Sequence, residues 1–278
     1  MILPAPLSVY PLVEPIFEGR KQYVAARAVL RQNFPGLVWV DDLQHPQTAL
    51  VWALTRWAYV AGDHHHSRDF LAGLKPFVRD VVTPLARAMG QKWFELYAHP
   101  SDEWEAAVEF ALEGLSAEKH YENTYVLDRG VFESASSPPV VPAEMTLRHT
   151  EFPVVSTSAQ RLPFVQQDPA RRRAFGYELV QGERVVSVCR SNGLACGTEF
   201  MLDVDTPARG ERNNGYATVV SRALIADALE EGLEPLWETT EDNTASRRLA
   251  GRLGYRERER YPVYAMELPA SACQVSGS

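Results

Sequence analysis

Apolar residues along this chain fall into short bounded blocks and into stripes at helical spacing. The blocks GLVWVDD (36–42), TALVWAL (48–54) and WAYVAGD (57–63) are rich in Val and Trp and predict three short buried strands. A helix is predicted over Tyr23–Phe34, where Val24 and Ala28 share a face. Ser67–Met89 predicts a second helix, broken or kinked by Gly73, Pro76 and Pro84. KWFELYAH (92–99) predicts a strand. Ser101 then caps a helix with Asp102 and Glu103 in its first turn and an apolar stripe through Trp104, Val108 and Leu115. NTYVLD (123–128) is expected to close this unit as a strand.

Residues 133–144, ESASSPPVVPAE, are small, Pro-rich and poor in core-forming groups, which is the composition of a linker. Beyond it, MTLRHTEF (145–152) predicts a strand, while residues 152–170 carry three prolines and no clear period. FGYELVQGERVVSVCRS holds two alternating runs around Gln181-Gly182-Glu183, a hairpin pattern, and ACGTEFMLDVDT adds a third antiparallel strand. The loop PARGERNNGYA leads into a helix with Val220, Leu224 and Ala228 on one face, stopped by Gly232. LEPLWETT predicts a strand and EDNTASRRLAGRLGY a helix. The expected fold class is α/β (α+β): a smaller α/β domain over 1–132, a linker, a domain of mixed, mostly antiparallel sheet flanked by helices over 145–268, and a flexible tail over 269–278.

Charge and composition narrow the function. A net charge of -8 argues against a broad nucleic-acid surface and against steady attachment to anionic membranes. No apolar run approaches the roughly 20 residues that span a bilayer. The opening MILPAPLSVYPLVEP lacks a basic segment and a continuous apolar helix, so a cytoplasmic setting is expected. Three cysteines, Cys189, Cys196 and Cys273, fit neither a disulfide framework nor a zinc site. His64-His65-His66 are consecutive and do not have metal-ligand spacing, so a solvated loop and no metal are expected. Asp41-Asp42 reads as a strand end.

The chemistry concentrates in Glu199–Tyr255, a strand, a glycine-bearing loop, a helix, a strand and a helix. Free amides at the helix entry make an anion site, and Gly215 lets a ligand approach the backbone. No Gly-Lys-Ser/Thr follows, and no G-x-G-x-x-G is present, so neither a P-loop nor a dinucleotide fingerprint applies.

Arg212-Asn213-Asn214-Gly215-Tyr216-Ala217 resembles the Arg/Gln-x-x-Gly-x-Gly/Ala loop of the GNAT superfamily of N-acetyltransferases. Asn243, Ser246 and Leu253-Gly254-Tyr255 match that family's later Asn-x-x-Ser/Ala…Leu-Gly-Phe/Tyr pattern. The resemblance covers about residues 172–267, and PLWETTEDNTAS with RLAGRLGY is similar to a bacterial two-domain group whose N-terminal half is a degenerate GNAT-like unit. It implies acetyl-CoA as co-substrate, held between splayed strands. Val204 would offer backbone groups to the pantetheine arm, Thr206 would contact the cofactor, Arg212 to Ala217 would bind pyrophosphate through backbone amides, and Asn243 and Ser246 would contact pantetheine or the thiol end. Arg209, Arg212 and Arg247 are candidate phosphate partners.

Two departures stand out. The insertion around Pro207–Glu211 lengthens the loop, and Ala250 occupies the position where many members carry a Tyr general acid. Tyr255 is expected to pack, and Trp237 to be core. Amine acetylation needs a neutral amine and a stabilised thioester oxyanion. Glu199 and Asp203, four apart on one strand face, and Glu238 on the following strand are the candidate bases. The reading is direct acetyl transfer to a small-molecule amine, with a homodimer left open. The alternatives are a non-catalytic acyl-CoA-binding or regulatory module, and a first half that recruits a protein substrate.

Overall fold

A computed structural model describes residues 1–54, 57–134, 140–153 and 173–268. The expected blocks become strands where they bury both faces: β2 (Gly36–Val40), β3 (Thr48–Ala53) and β4 (Trp57–Gly62) follow the short β1 (Leu3–Pro4). All six residues of β3 are buried, which explains its unbroken apolar run. Ahead of them lie α1 (Tyr10–Val13) and α2 (Val24–Leu30). The helix expected over Tyr23–Phe34 ends early, because Gln32 turns to φ 60.

The prolines divide the Ser67–Met89 stretch as its sequence predicts. It contains α3 (Arg68–Ala72), α4 (Leu74–Phe77), a π-helical turn over Val78–Val82 and α5 (Thr83–Ala88). β5 (Trp93–Ala98) follows, then α6 (Asp102–Ala111), whose cap Ser101 accepts from the Trp104 amide at 3.3 Å. β6 (Ala117–Leu127) starts well before the expected NTYVLD block, since its first half is too polar to show as an apolar run. After α7 (Arg129–Ser134) come β7 (Thr146–Pro153), β8 (Arg173–Gln181), β9 (Arg184–Cys196) and β10 (Glu199–Asp205). α8 (Tyr216–Glu230), β11 (Glu234–Thr240), α9 (Thr244–Arg252) and β12 (Tyr255–Glu267) complete the order. β12 was not foreseen, because Arg256–Arg260 alternates charges rather than apolar groups. The stretch 154–172, most of the unassigned segment, and the expected tail 269–278 with Cys273 lie outside the described residues, as do 135–139 of the expected linker.

One twelve-stranded sheet orders these as β1-β2-β3-β4-β5-β12-β6-β11-β10-β9-β8-β7. The order reads alike from both ends. A meander (β2–β4 or β8–β10) leads through helix into a parallel neighbour (β5 or β11), and a second helix leads to a last strand. That last strand is exchanged: β6 pairs with β11, and β12 enters between β5 and β6. The fold is therefore two similar units that share strands.

The two units differ at one place. β4 and β5 stay paired from Trp57↔Glu95 to Val60↔Ala98, and the His99 amide still donates to Val60 O at 3.1 Å. β10 and β11 pair only from Glu199↔Glu234 to Met201↔Leu236, then part. The wedge exists in the C-terminal unit and is closed in the N-terminal one.

Three apolar clusters hold the layers. α1 and α2 cover one sheet face with Val24, Val29, Tyr97, Met201 and Leu236. α3 to α6 cover the N-terminal unit's other face. α8 and α9 cover the third region, where Leu224 and Ile225 are fully buried, each contributing roughly 1.5–3 kcal/mol. Among the described residues, no helix is long and apolar enough to cross a membrane.

Candidate active site

Where β10 and β11 part, a cleft of about 660 Å³ opens. Adjacent residues of a strand point to opposite faces, yet both Trp237 and Glu238 line it. The cleft therefore passes through the sheet. One mouth lies at α9, beside Asn243 and Ser246, and the other at Glu238, Glu122 and Tyr97.

The helix side is built by local backbone rules. Gly215 caps α8 at φ 82, ψ 0, and a Cβ added there would meet no heavy atom within 4 Å. Asn213 also takes a positive φ of 68, so the loop turns its peptides sharply before the helix. The first amides of α8 have no intrahelical acceptor and lie at the positive end of the helix dipole. Thr206 is buried: its hydroxyl lies 2.9 Å from Ser187 Oγ, and its carbonyl accepts from Arg212 Nε at 3.0 Å. Asn214 Nδ2 donates to Glu211 O at 3.1 Å, and Arg184 pairs with Glu211 at 2.7 Å. These bonds brace the inserted turn around Arg209–Glu211. Arg212, Asn213, Asn214 and Gly215 are exposed, Tyr216 and Ala217 half-buried, and none of the six lines the through-sheet cleft.

Asp203, Val204, Glu238, Asn243 and Ser246 do line it. Asn243 caps α9 by accepting the Ser246 amide at 3.1 Å, and Ser246 Oγ accepts from Trp237 Nε1 at 2.9 Å. Trp237 is core, its ring tilted at 57° against that of Tyr255 with centroids 5.5 Å apart, and the Tyr255 hydroxyl donates to Pro235 O. Ala250 is fully buried on the inner face of α9 and has no proton to give. Arg247 turns to Tyr125 Oη at 3.2 Å and to the Glu241 carbonyl.

The far mouth is acidic and aromatic. Tyr97 donates to Glu95 at 3.2 Å and to Glu122 at 3.3 Å, and His120 Nε2 lies 3.4 Å from the same Glu122 oxygen. Tyr261 donates to Glu238, and its hydroxyl also lies 3.2 Å from Thr124 Oγ1. Burial, reinforced by the charges of Glu122, Glu238 and Glu95, pushes the Tyr97 hydroxyl far above its ordinary value, so it remains a donor. Tyr59 and Tyr261 are raised by burial and by the same carboxylates.

Of the three carboxylates singled out in the sequence, the structure brings Asp203 and Glu238 to the cleft and holds Glu199 elsewhere. Glu199 is ion-paired with Lys21 and, at 2.7 Å, with Arg27, joining β10 to the N-terminal helices. Burial raises its carboxyl, but the two cations override that and hold it below the ordinary value. Glu122, Tyr97 and Trp57 also line the cleft and come from the N-terminal half. Their separation in sequence hid them; the only local signal was a carboxylate beside the NTYVLD block. The triple histidine is an exposed turn held by Asp63, with His65 N 2.9 Å from its carboxylate. No group able to hold a metal ion occurs among the described residues.

A family profile described as GNAT acetyltransferase matches residues 14–264. An uncharacterised N-acetyltransferase of Bacillus subtilis, YdfB, is 24% identical over 267 residues, covering 92% of this chain and 95% of that protein. A GCN5-related N-acetyltransferase-like protein from Streptococcus suis superposes with a TM-score of 0.65 at 20% identity, over 92% of this chain and 98% of its own. A tandem GNAT protein from the clavulanic acid biosynthesis pathway does so with a TM-score of 0.57 at 15% identity, over 98% and 99%.

Proposed function

This chain belongs to the GNAT acetyltransferase family and is an acyltransferase, and from that premise we propose that it moves the acetyl group of acetyl-CoA directly to a small-molecule amine. The observation that carries the reading is the parting of β10 from β11 after Met201↔Leu236. It leaves an edge of β10 with no β-partner among the described residues along the cleft, where Val204 would pair with the pantetheine arm as an added strand.

The residues present fit acetyl-CoA. Open space at Gly215 and the amides that run from Asn213 into the first turn of α8 suit a pyrophosphate, drawn by the α8 dipole, whereas the Arg212 amide already donates to Arg209 O. Thr206 would position Arg212 rather than touch the ligand, through the carbonyl that holds its guanidinium. Asn243 and Ser246 stand at the helix-side mouth, near where the thiol end would enter. The bound thioester supplies the activated acetyl group. The chain's own task is to seat the amine, remove its proton and keep water out, and the carboxylates of the far mouth attract an ammonium. Glu238 and Asp203 are the candidate bases read from the C-terminal half.

The test has two arms. Calorimetry should show acetyl-CoA binding, and thiol release should rise when spermidine, tyramine or lysine methyl ester is added. Absence of binding at millimolar acetyl-CoA sinks the proposal. Binding without thiol release on any of these amines would favour a non-catalytic acyl-CoA module, the reading that the buried Ala250 supports.

A further inference from the structure

We propose that Glu122, delivered to the cleft by the N-terminal half on β6, takes the proton of the acceptor's ammonium and that His120 passes it to solvent. The assignment rests on the amine acetyltransferase reading above. Glu122 and His120 are two apart on one strand, so both face the same way. Glu122 lines the cleft, whereas the His120 side chain is 32% exposed, and the two meet at 3.4 Å. They therefore join the inside of the cleft to water.

Glu238 is the rival, and its surroundings differ. It accepts from Tyr261, a fully buried hydroxyl that leads inward to Thr124. A proton taken up there would face a buried hydroxyl rather than a partly solvent-exposed imidazole. Among the described residues, Glu122 Oε1 lies 3.3 Å from the Tyr97 hydroxyl and 3.4 Å from His120 Nε2. Its hydrogen bond to Glu122 raises the proton affinity of His120, against burial, and the field of Glu122, Glu95 and Asp242 adds to this. The groups around Glu122 are Glu95 and Tyr97 on β5, Tyr59 on β4, Glu238 on β11, Tyr261 on β12, and Thr124 on its own strand. These neighbours are carboxyls and hydroxyls, and the arginine that lines the same cleft, Arg190, is paired with Asp203 at 3.2 Å, so an ammonium entering beside Glu122 would supply positive charge there.

The step balances. The ammonium gives one proton to Glu122, and the neutral amine attacks the thioester carbonyl. The C–N bond forms as the C–S bond breaks, and a second N–H proton leaves with the thiolate as the thiol. The proton on Glu122 passes through His120 to water, so each turnover releases one proton.

Glu122→Gln keeps the shape and removes the base. With the fastest of the three amines, kcat should fall by about 100-fold or more, and its rise with pH should disappear, while acetyl-CoA affinity by calorimetry stays unchanged. His120→Ala should slow turnover in dilute buffer and be restored by added imidazole, a response that packing damage would not give. The rescue decides the matter independently if Glu122→Gln fails to fold. A Glu122→Gln enzyme with wild-type kcat, or a His120→Ala enzyme deaf to imidazole, overturns the assignment. Wild-type protein that binds acetyl-CoA but acetylates none of the amines overturns the parent reading instead, and this one with it.

Discussion

Tyr23 Oη lies 2.9 Å from Nδ1 of His99, and a neutral ring accepts there where an imidazolium cannot. Burial first, and then the charge of Arg20, lowers His99 from 6.5 to about 4. The folded value is below the unfolded one, so the unfolded chain binds more protons between pH 6.5 and 4. His99 therefore contributes no pH dependence above 6.5 and costs stability as pH falls through that window. Urea midpoints across pH 4–7 should fall less steeply in His99→Gln, which still offers Tyr23 an acceptor. Equal slopes in the two proteins would refute the account. At this scale the sequence was uneven as a guide. Arg212 to Ala217 are consecutive, so spacing alone exposed them. Glu199 lies on the expected strand, but Lys21 and Arg27, far away in the chain, claim it. Glu122 reaches the cleft only through a strand exchange that no local pattern announces.

The loop into α8 was legible because its signals are local: glycine before an amphipathic stripe, and Gly232 after it. Its function depends on one backbone conformation. Gly215 sits at φ 82 with open space where a Cβ would project, so Gly215→Ala meets no clash and only left-handed strain, about 1–2 kcal/mol. The helix entry should relax away from that turn and misplace the amides, weakening acetyl-CoA by roughly tenfold in a calorimetric titration. Gly182→Ala is the control, since Gly182 has φ 60 in the β8–β9 hairpin, also with free space around it. It should lose similar stability and keep its affinity. Equal loss of affinity in both would show that Gly215 acts through stability alone. β12 and the first half of β6 were illegible for a matching reason. They pair with each other, and β12 also with β5 of the opposite half, so exposed charged residues such as Lys119 and Arg260 stand in place of an alternating apolar pattern.

Across the whole molecule, the sequence located two α/β units and the wedge-bearing one, because meanders and crossover helices repeat in order along the chain. It gave no sign that the units trade strands, since register between halves is set by tertiary packing and not by local period. That trade has a consequence for how the chain is made. β12 leaves the ribosome after every other described strand, yet it belongs between β5 and β6 of the first unit. Until it arrives, the N-terminal half presents the β12-facing edges of β5 and β6 with no strand between them, an invitation to aggregation that a chaperone would have to shield. A chain stopped before Tyr255 should accordingly be cut by protease within β5 and β6 as readily as in its C-terminal half. A protease-resistant N-terminal half in that truncated chain would mean the first unit closes without its borrowed strand.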